Sequence, residues 1–253
     1  MRYLVRFVVL LTVVTTSYSV FAKPVDVVSG WDKPPYIISE GDTGFEIELV
    51  KAVLALSGHG ARLHYVPMGR SVRLIGEQEL DIALSMNERQ ALPKEWLSDV
   101  YVVYQNVVIT RRDRKEIIGS LEALKDMTVI GFQTASQALG KTFSDVVANH
   151  SGYLEVADQS RQVSMLLLGS VDAIVMDYRI FEHIRSTLPE NQQKEVDYHF
   201  LFESSPYRAA IPDPELRQAF NEGLQALHES GEYTELTREY LPNALTTSYA
   251  HIF

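Results

Sequence analysis

Cysteine is absent from this sequence of 253 residues. Without a thiol, the chain can form no disulfide, no zinc–thiolate site and no covalent intermediate on a cysteine. It also lacks the residue through which a secreted chain could carry an N-terminal lipid. We therefore expect a product without disulfides and without a lipid anchor.

Positive charge is scarce. The chain has 23 lysine and arginine residues against 33 acidic residues, and its formal net charge at pH 7 is −10. A nucleic-acid partner requires a basic face, so the acidic balance argues against this class of partner. After the first 22 residues, no segment approaches the roughly 20 apolar residues of a membrane-spanning helix. The composition, 46% hydrophobic and 22% charged, is typical of a soluble globular protein.

Residues 1–22 have the pattern of a cleaved signal peptide. Arg2 and Arg6 form a positive start, residues 7–14 form an apolar core, and Ala22 is a small residue at a plausible cleavage point. A membrane anchor is the alternative, but the apolar run is too short to span a bilayer, which takes about 20 residues. We therefore expect secretion and a mature chain that begins just after this segment.

Two stretches of the mature chain share one pattern, in which a short apolar strand leads to a polar or charged group. The apolar run in residues 81–89 ends at Ser85 and is followed by Arg89, and a similar run in residues 172–177 ends at Asp177. Open α/β sheets place ligand-binding groups at the carboxyl ends of their strands. The two stretches therefore predict two α/β units that face each other across a ligand carrying both charges.

The periodicity of the apolar residues supports two such units. It predicts the order β-α-β-α-β in residues 25–84 and again in residues 127–176. In the first unit, Phe45, Leu49 and Val53 recur every four residues, as on the buried face of a helix. This repeated order implies two mainly parallel sheets flanked by helices, an α/β fold.

The segments between these units define two crossings. Residues 101–110 form a long apolar run, which predicts a strand of the first lobe, and the chain then crosses to the second lobe. Residues 203–207 are the predicted return. The prediction is therefore a first lobe of residues 23–110 plus 204–253 and a second lobe of residues 111–203.

Further candidates for ligand contacts lie in the predicted loops. Trp31 and Tyr36 flank a stiff diproline loop and could wall a pocket, or could cap the core. Arg70 lies near the start of a short helix, where a solvated charge is the alternative. Thr134 and Ser136 lie at a helix start, which capping alone would explain, although a helix N-terminus can also bind an anion.

The chain resembles the periplasmic solute-binding proteins of polar amino-acid ABC importers, solute-binding family 3. The resemblance covers nearly all of the mature chain and rests on the order and spacing of five motifs: Pro34-Pro35-Tyr36, residues 44–49, residues 87–89, residues 98–101, and residues 169–173 with Asp177. It implies a two-lobed periplasmic binding protein fold with two hinge crossings and a cleft that closes by hinge motion.

The resemblance also implies roles for individual residues. Arg89 matches the arginine that clamps the α-carboxylate of the ligand, a contact that suits a planar guanidinium. Asp177 matches the acid that receives the α-ammonium group. The chain departs from the family in having few residues before Arg89 and in having Arg70 where a pocket aromatic is common. The candidate ligand-binding residues are Trp31, Tyr36, Arg70, Ser85, Arg89, Thr134, Ser136 and Asp177.

The function implied by the resemblance is that of a binding protein without catalytic activity. It would capture a polar amino acid or similar small zwitterion by cleft closure and deliver it to an ABC permease in the inner membrane. We expect a periplasmic monomer without metal or cofactor. One alternative is an enzyme that resembles cyclohexadienyl dehydratases, with Glu88 or Glu203 as its acid. Another is a ligand-sensing orphan module that docks on a receptor.

Overall fold

The computed structural model describes residues 24–241, so the predicted signal peptide and residues 242–253 lie outside the described part of the chain. The strands are β1 (Val25–Ser29), β2 (Ala61–Tyr65), β3 (Ile82–Met86), β4 (Leu97–Tyr104), β5 (Asn106–Arg111), β6 (Val129–Phe132), β7 (Tyr153–Val156), β8 (Ala173–Asp177), β9 (Val196–His199) and β10 (Ser205–Ala210). The α-helices are α1 (Phe45–Leu56), α2 (Met68–Gly76), α3 (Ala135–Ala138), α4 (Lys141–Val147), α5 (Gln159–Leu167), α6 (Tyr178–Thr187), α7 (Pro214–Ser230) and α8 (Glu232–Tyr240). Between residues 24 and 241, no helix is long and apolar enough to cross a membrane.

The strands form two five-stranded sheets, and we call the half of the molecule built on each sheet a lobe. The first sheet has the order β2-β1-β3-β10-β4, with β1 parallel to β2 and β3, and β10 antiparallel to its neighbours. The second has the order β7-β6-β8-β5-β9, with β6 parallel to β7 and β8, and β5 antiparallel to its neighbours. Each lobe thus contains the parallel β-α-β-α-β unit predicted from the sequence, and the predicted α/β class is confirmed.

The prediction of one continuous strand over residues 101–110 is wrong. Strand β4 ends at Tyr104 in the first sheet and β5 begins at Asn106 in the second, so the first crossing is at Gln105 rather than after residue 110. Both strands are almost entirely buried, and the run of apolar residues therefore continues across the crossing without a break. The chain returns to the first sheet in residues 200–204, between β9 and β10.

Helix α1 shows how the sequence builds the first lobe. Its residues Phe45, Leu49 and Val53 are fully or almost fully buried, and burial of such side chains contributes roughly 1.5–3 kcal/mol each. The helix packs against α7 at Gly223, where an added Cβ would come within 3.0 Å of Val53. Gly44 precedes α1 with φ +107°, a conformation almost restricted to glycine.

The helix predicted from Thr134 towards Val147 is interrupted. Gly140 has φ +91° and separates α3 from α4. A Cβ at Gly140 would lie 3.5 Å from the Arg89 guanidinium carbon, which belongs to the other lobe. The interruption therefore falls where the two lobes approach each other.

Candidate functional site

A cavity lies between the two lobes, with about 680 Å³ of empty space, part of it open to solvent. Its first-lobe lining residues are Gly30, Trp31, Lys33, Pro67, Met68, Ser85, Gln90, Tyr104 and Tyr207. Its second-lobe lining residues are Asn106, Phe132, Gln133, Thr134, Ala138, Ala157, Gln159, Asp177 and Ile180. Many of these residues lie at or just beyond the carboxyl ends of β1, β3, β6, β7 and β8, the position at which α/β sheets bind ligands.

Half of the candidates predicted from the sequence line this cavity: Trp31, Ser85, Thr134 and Asp177. The other four, Tyr36, Arg70, Arg89 and Ser136, are not among its lining residues. The structure also brings in residues that sequence reasoning missed, above all Lys33, Glu46, Glu155 and Gln159.

Lys33 supplies a buried positive charge in the cavity wall. The residue is only 8% exposed, and its Nζ donates a hydrogen bond to Ser85 Oγ at 2.7 Å. Glu46 Oε1 is 3.9 Å from the same nitrogen. Burial lowers the pKa of Lys33, while the charges of Glu46 and Asp177 act in the opposite direction.

Glu46 lies behind Lys33 and is fully buried. Its carboxylate accepts a hydrogen bond from Ser85 Oγ at 2.8 Å and further hydrogen bonds from the hydroxyls of Tyr101 and Tyr104. Burial, reinforced by the Glu46 charge, raises the pKa of both tyrosines well above the usual value. These hydroxyls therefore stay protonated and keep donating to the carboxylate. In the sequence, Glu46 gives no sign of this role, since it resembles any acid in the first turn of a helix.

Asp177 supplies the negative charge of the wall from the second lobe. Its Oδ1 caps α6 by accepting from the backbone N–H groups of Arg179 (2.9 Å) and Ile180 (3.2 Å). Its Oδ2 accepts from the backbone N–H of Gln105, the first crossing residue, at 2.7 Å. Burial raises the pKa of Asp177, with the Arg179 charge and the backbone donors acting against this shift. The residue is thus both a helix cap and a charged group of the cavity.

The remaining first-lobe candidates lie in different places. Tyr36 is fully buried behind the wall, stacks on Tyr104 with ring centroids 4.0 Å apart, and accepts from Arg179 Nη1 at 3.2 Å. Its hydroxyl also lies 3.4 Å from an Asp177 oxygen. Trp31 lines the cavity and is half exposed. Arg70 is exposed and outside the cavity.

Arg89 bridges the two lobes outside the cavity wall. Its Nη1 donates to the backbone carbonyl of Ala138 at 2.7 Å, and the residue is exposed. Its backbone N–H donates to Asn87 Oδ1 at 2.9 Å, which closes a tight turn after β3. Because so few residues separate this turn from the strand, the guanidinium lies at α3 in this arrangement and not among the lining residues.

The helix start considered as an anion site, at Thr134 and Ser136, already binds a carboxylate of the protein itself. The backbone N–H groups of Thr134 and Ser136 donate to the two oxygens of Glu155, each at 2.8 Å. The Tyr153 hydroxyl donates to the same carboxylate at 2.9 Å. A ligand anion could use these N–H groups only by displacing Glu155.

Amide side chains make up much of the remaining polar wall, contributed by Gln90, Asn106, Gln133 and Gln159. Gln133 Oε1 accepts a hydrogen bond from the backbone N–H of Met68 at 3.2 Å, which is another hydrogen bond between the lobes. Gln159 is 8% exposed, and its Oε1 has no hydrogen-bond partner among the described residues. A buried acceptor of this kind favours a ligand that donates a hydrogen bond.

The two acids considered for an enzymatic role lie outside the cavity. Glu88 is exposed and pairs with Lys94 at 3.1 Å, and this contact lowers its pKa. Glu203 is exposed and is not a lining residue. In the described range 24–241, no group of three or more His, Asp or Glu residues is arranged to hold a metal ion.

Two α/β lobes facing each other across a cavity, with buried charges of both signs in its wall, define a ligand-binding protein of the two-lobed class. Residues 26–243 match the family model of the bacterial extracellular solute-binding proteins, family 3. The chain belongs to this family, and the resemblance identified from its motifs is confirmed.

Individual relatives are distant. The arginine-binding extracellular protein ArtP of Bacillus subtilis (strain 168) is 24% identical over 218 residues, which cover 83% of this chain and 82% of ArtP. An ancestral arginine-binding protein solved with arginine has a TM-score of 0.70 at 21% identity, covering 87% of this chain and 99% of its own. A histidine kinase sensor domain has a TM-score of 0.71 at 19% identity, covering 87% and 97% of the two chains. These solved structures support the fold alone.

Proposed function

We propose that this protein binds a polar amino acid, or a similar small zwitterion, between its lobes and delivers it to an ABC permease. The observation that carries the proposal is the pair of buried opposite charges in one cavity wall, Lys33 from the first lobe and Asp177 from the second. A ligand with one carboxylate and one ammonium group would complement both, in addition to the neighbouring charges of Glu46 and Arg179. Membership of the solute-binding family, and an arginine-binding relative, support this assignment.

The contacts between the lobes support capture by closure. The chain crosses between the sheets only at Gln105 and at residues 200–204, within the described residues. Arg89 and Met68 each make a hydrogen bond to the opposite lobe that opening would break. Such an arrangement suits hinge motion, in which a few crossing residues absorb the change in backbone torsion angles as the lobes open and close.

The contents of the wall favour binding over catalysis. The dehydratase-like alternative requires an acid in the cavity, and both Glu88 and Glu203 are exposed outside it. Asp177 is the one acid among the described lining residues, and the backbone N–H groups of Arg179, Ile180 and Gln105 fix the position of its carboxylate, which suits a binding role. We therefore propose a protein without turnover of its ligand.

Titration with each of the twenty amino acids tests the binding proposal. Trp31 is half exposed at the cavity, whereas Trp96 does not line it. Ligand binding should change the tryptophan fluorescence, and a Trp31→Phe variant should lose the fluorescence change while calorimetry still detects binding. Absence of a calorimetric signal for every amino acid at millimolar concentration would refute the proposal.

Delivery and location require a cellular test. We expect the protein in the periplasmic fraction, and we expect a strain without it to lose uptake of the radiolabelled ligand identified by calorimetry. Binding combined with unchanged uptake would instead favour the sensor alternative. An intact Met1 in the membrane fraction would contradict cleavage of the predicted signal peptide.

A further inference from the structure

The cavity contains one charge of each sign. Among the described residues that line it, Lys33 is the only cation and Asp177 the only anion. The guanidinium of Arg89, the residue expected to bind a carboxylate, lies outside this set and donates to Ala138. Lys33 is therefore the cation within the wall itself, while Arg89 lies at its margin, hydrogen-bonded to the lining residue Ala138.

The ammonium group of Lys33 has unused capacity. It carries three N–H donors, and the single described acceptor is Ser85 Oγ. Glu46 is 3.9 Å away, beyond hydrogen-bond distance, and three hydroxyl groups already donate to its oxygens. The same nitrogen lies 5.5 Å from the centre of the Tyr104 ring, but a ring face is a weak partner. The nearly buried cation therefore keeps donor capacity for a stronger acceptor in the cavity.

The other potential anion site is closed by the protein itself. The Glu155 carboxylate accepts hydrogen bonds from the backbone N–H groups of Thr134 and Ser136. The N-terminus of α3 is therefore already occupied by a carboxylate of the protein. Of the groups considered for a ligand carboxylate, Lys33 is the one that combines a position in the wall, burial and unused donors.

We infer that Lys33, and not Arg89, binds the carboxylate of the ligand, while Asp177 receives its ammonium group. This inference rests on the proposed function and adds to it the net charge of the ligand. With one cation and one anion in the wall, the ligand is a net-neutral zwitterion. A second positive charge, such as an arginine side chain, would lie among amides without an anionic partner. The free Oε1 of Gln159 further selects a side chain that donates a hydrogen bond.

Calorimetric titration of substituted proteins, with L-glutamine, L-glutamate and L-arginine as probes, tests this assignment. The parent should bind glutamine more tightly than arginine. Lys33→Met should weaken glutamine binding tens- to thousands-fold, the range for removing one member of a desolvated charge pair. Lys125→Met is the matched control, since it removes an exposed lysine outside the cavity and should leave affinity unchanged. Arg89→Met should change it only a few-fold.

A second variant separates loss of binding from loss of folding. Lys33→Met alone leaves the buried Glu46 without its neighbouring cation, whereas the double variant Lys33→Met/Glu46→Gln keeps the site neutral. Both should lose glutamine binding, and the double variant should melt nearer to the parent.

The outcomes distinguish two failures. Parental affinity in the Lys33 variants, tens-fold loss in Arg89→Met, or tighter binding of arginine than glutamine by the parent would overturn the inference and leave the proposed function intact. A parent that binds no amino acid would overturn the proposed function, and the inference with it.

Discussion

Replacement of Asp177 by asparagine separates the two roles of this carboxylate. Asparagine is as good an N-cap as aspartate, so its Oδ1 can keep the hydrogen bonds from Arg179 and Ile180 that begin α6. Its NH₂ group would replace Oδ2, which now accepts from the N–H of Gln105. Two donors would then face each other at the first crossing, and the charge offered to a ligand would be gone.

The expected magnitudes follow from these contacts. The lost charge-assisted hydrogen bond to Gln105 costs about 1.5–3 kcal/mol of unfolding free energy. For a chain of this size that lowers Tm by about 3–12 °C. Loss of the charge should weaken ligand binding by roughly 2–5 kcal/mol. Urea denaturation and thermal melting measure the first effect, and calorimetric titration measures the second.

Asp213→Asn is the matched control. Asp213 caps α7 through the N–H groups of Glu215 and Leu216 and has no described contact with the cavity. This variant should retain both parental stability and parental affinity. If Asp177→Asn also behaves as the parent does, the carboxylate is only a cap, and the reasoning that assigns it to a ligand is refuted.

Three further predictions concern the fold and the closure. Gly58 has φ +76° and open space where a Cβ would lie, so Gly58→Ala should lower the free energy of unfolding by about 1–2 kcal/mol in urea denaturation. Gly44→Ala should lower it further, because the new Cβ would lie 2.6 Å from a carbonyl oxygen. Equal losses in the two variants would contradict this reasoning. Hydrogen bonds from Arg62 hold the pKa of Asp26 below its usual 3.8. Because the folded state favours the carboxylate, this stabilisation is present above pH 3.8 and is lost as the pH falls below it. In a plot of the unfolding free energy against pH, Asp26→Asn should therefore reduce the slope on the acid side. An unchanged slope would contradict the assignment. Arg89→Ala removes a hydrogen bond between the lobes, so the unliganded protein should have a larger radius of gyration in small-angle scattering than the parent.

Local patterns in the sequence were sufficient for the framework of the fold. The four-residue recurrence in α1 and the repeated strand–helix order predicted two parallel units, since periodicity reports directly which face of an element is buried. The position of Asp177 at a strand end likewise placed it at the cavity. The crossing at Gln105 was missed because β4 and β5 are both buried strands, and hydrophobicity does not reveal that they belong to different sheets.

The polar interior of the site could not be predicted in the same way. Lys33 lies in the loop before α1 and Glu46 in the first turn of α1, and their proximity depends on how α1 packs against the first sheet. Glu155 lies on β7, and only the parallel pairing of β6 with β7 brings it to the N–H groups of Thr134 and Ser136. Charges that pair through tertiary packing leave no periodic signal in the sequence.

The most direct test of the account is a crystal structure of the protein soaked or grown with saturating L-glutamine. We predict the amino acid in the cavity between the lobes, with its carboxylate within hydrogen-bond distance of Lys33 Nζ and its ammonium group on Asp177 Oδ2. A carboxylate bound by Arg89, or a cavity that holds no amino acid at saturation, would contradict the account.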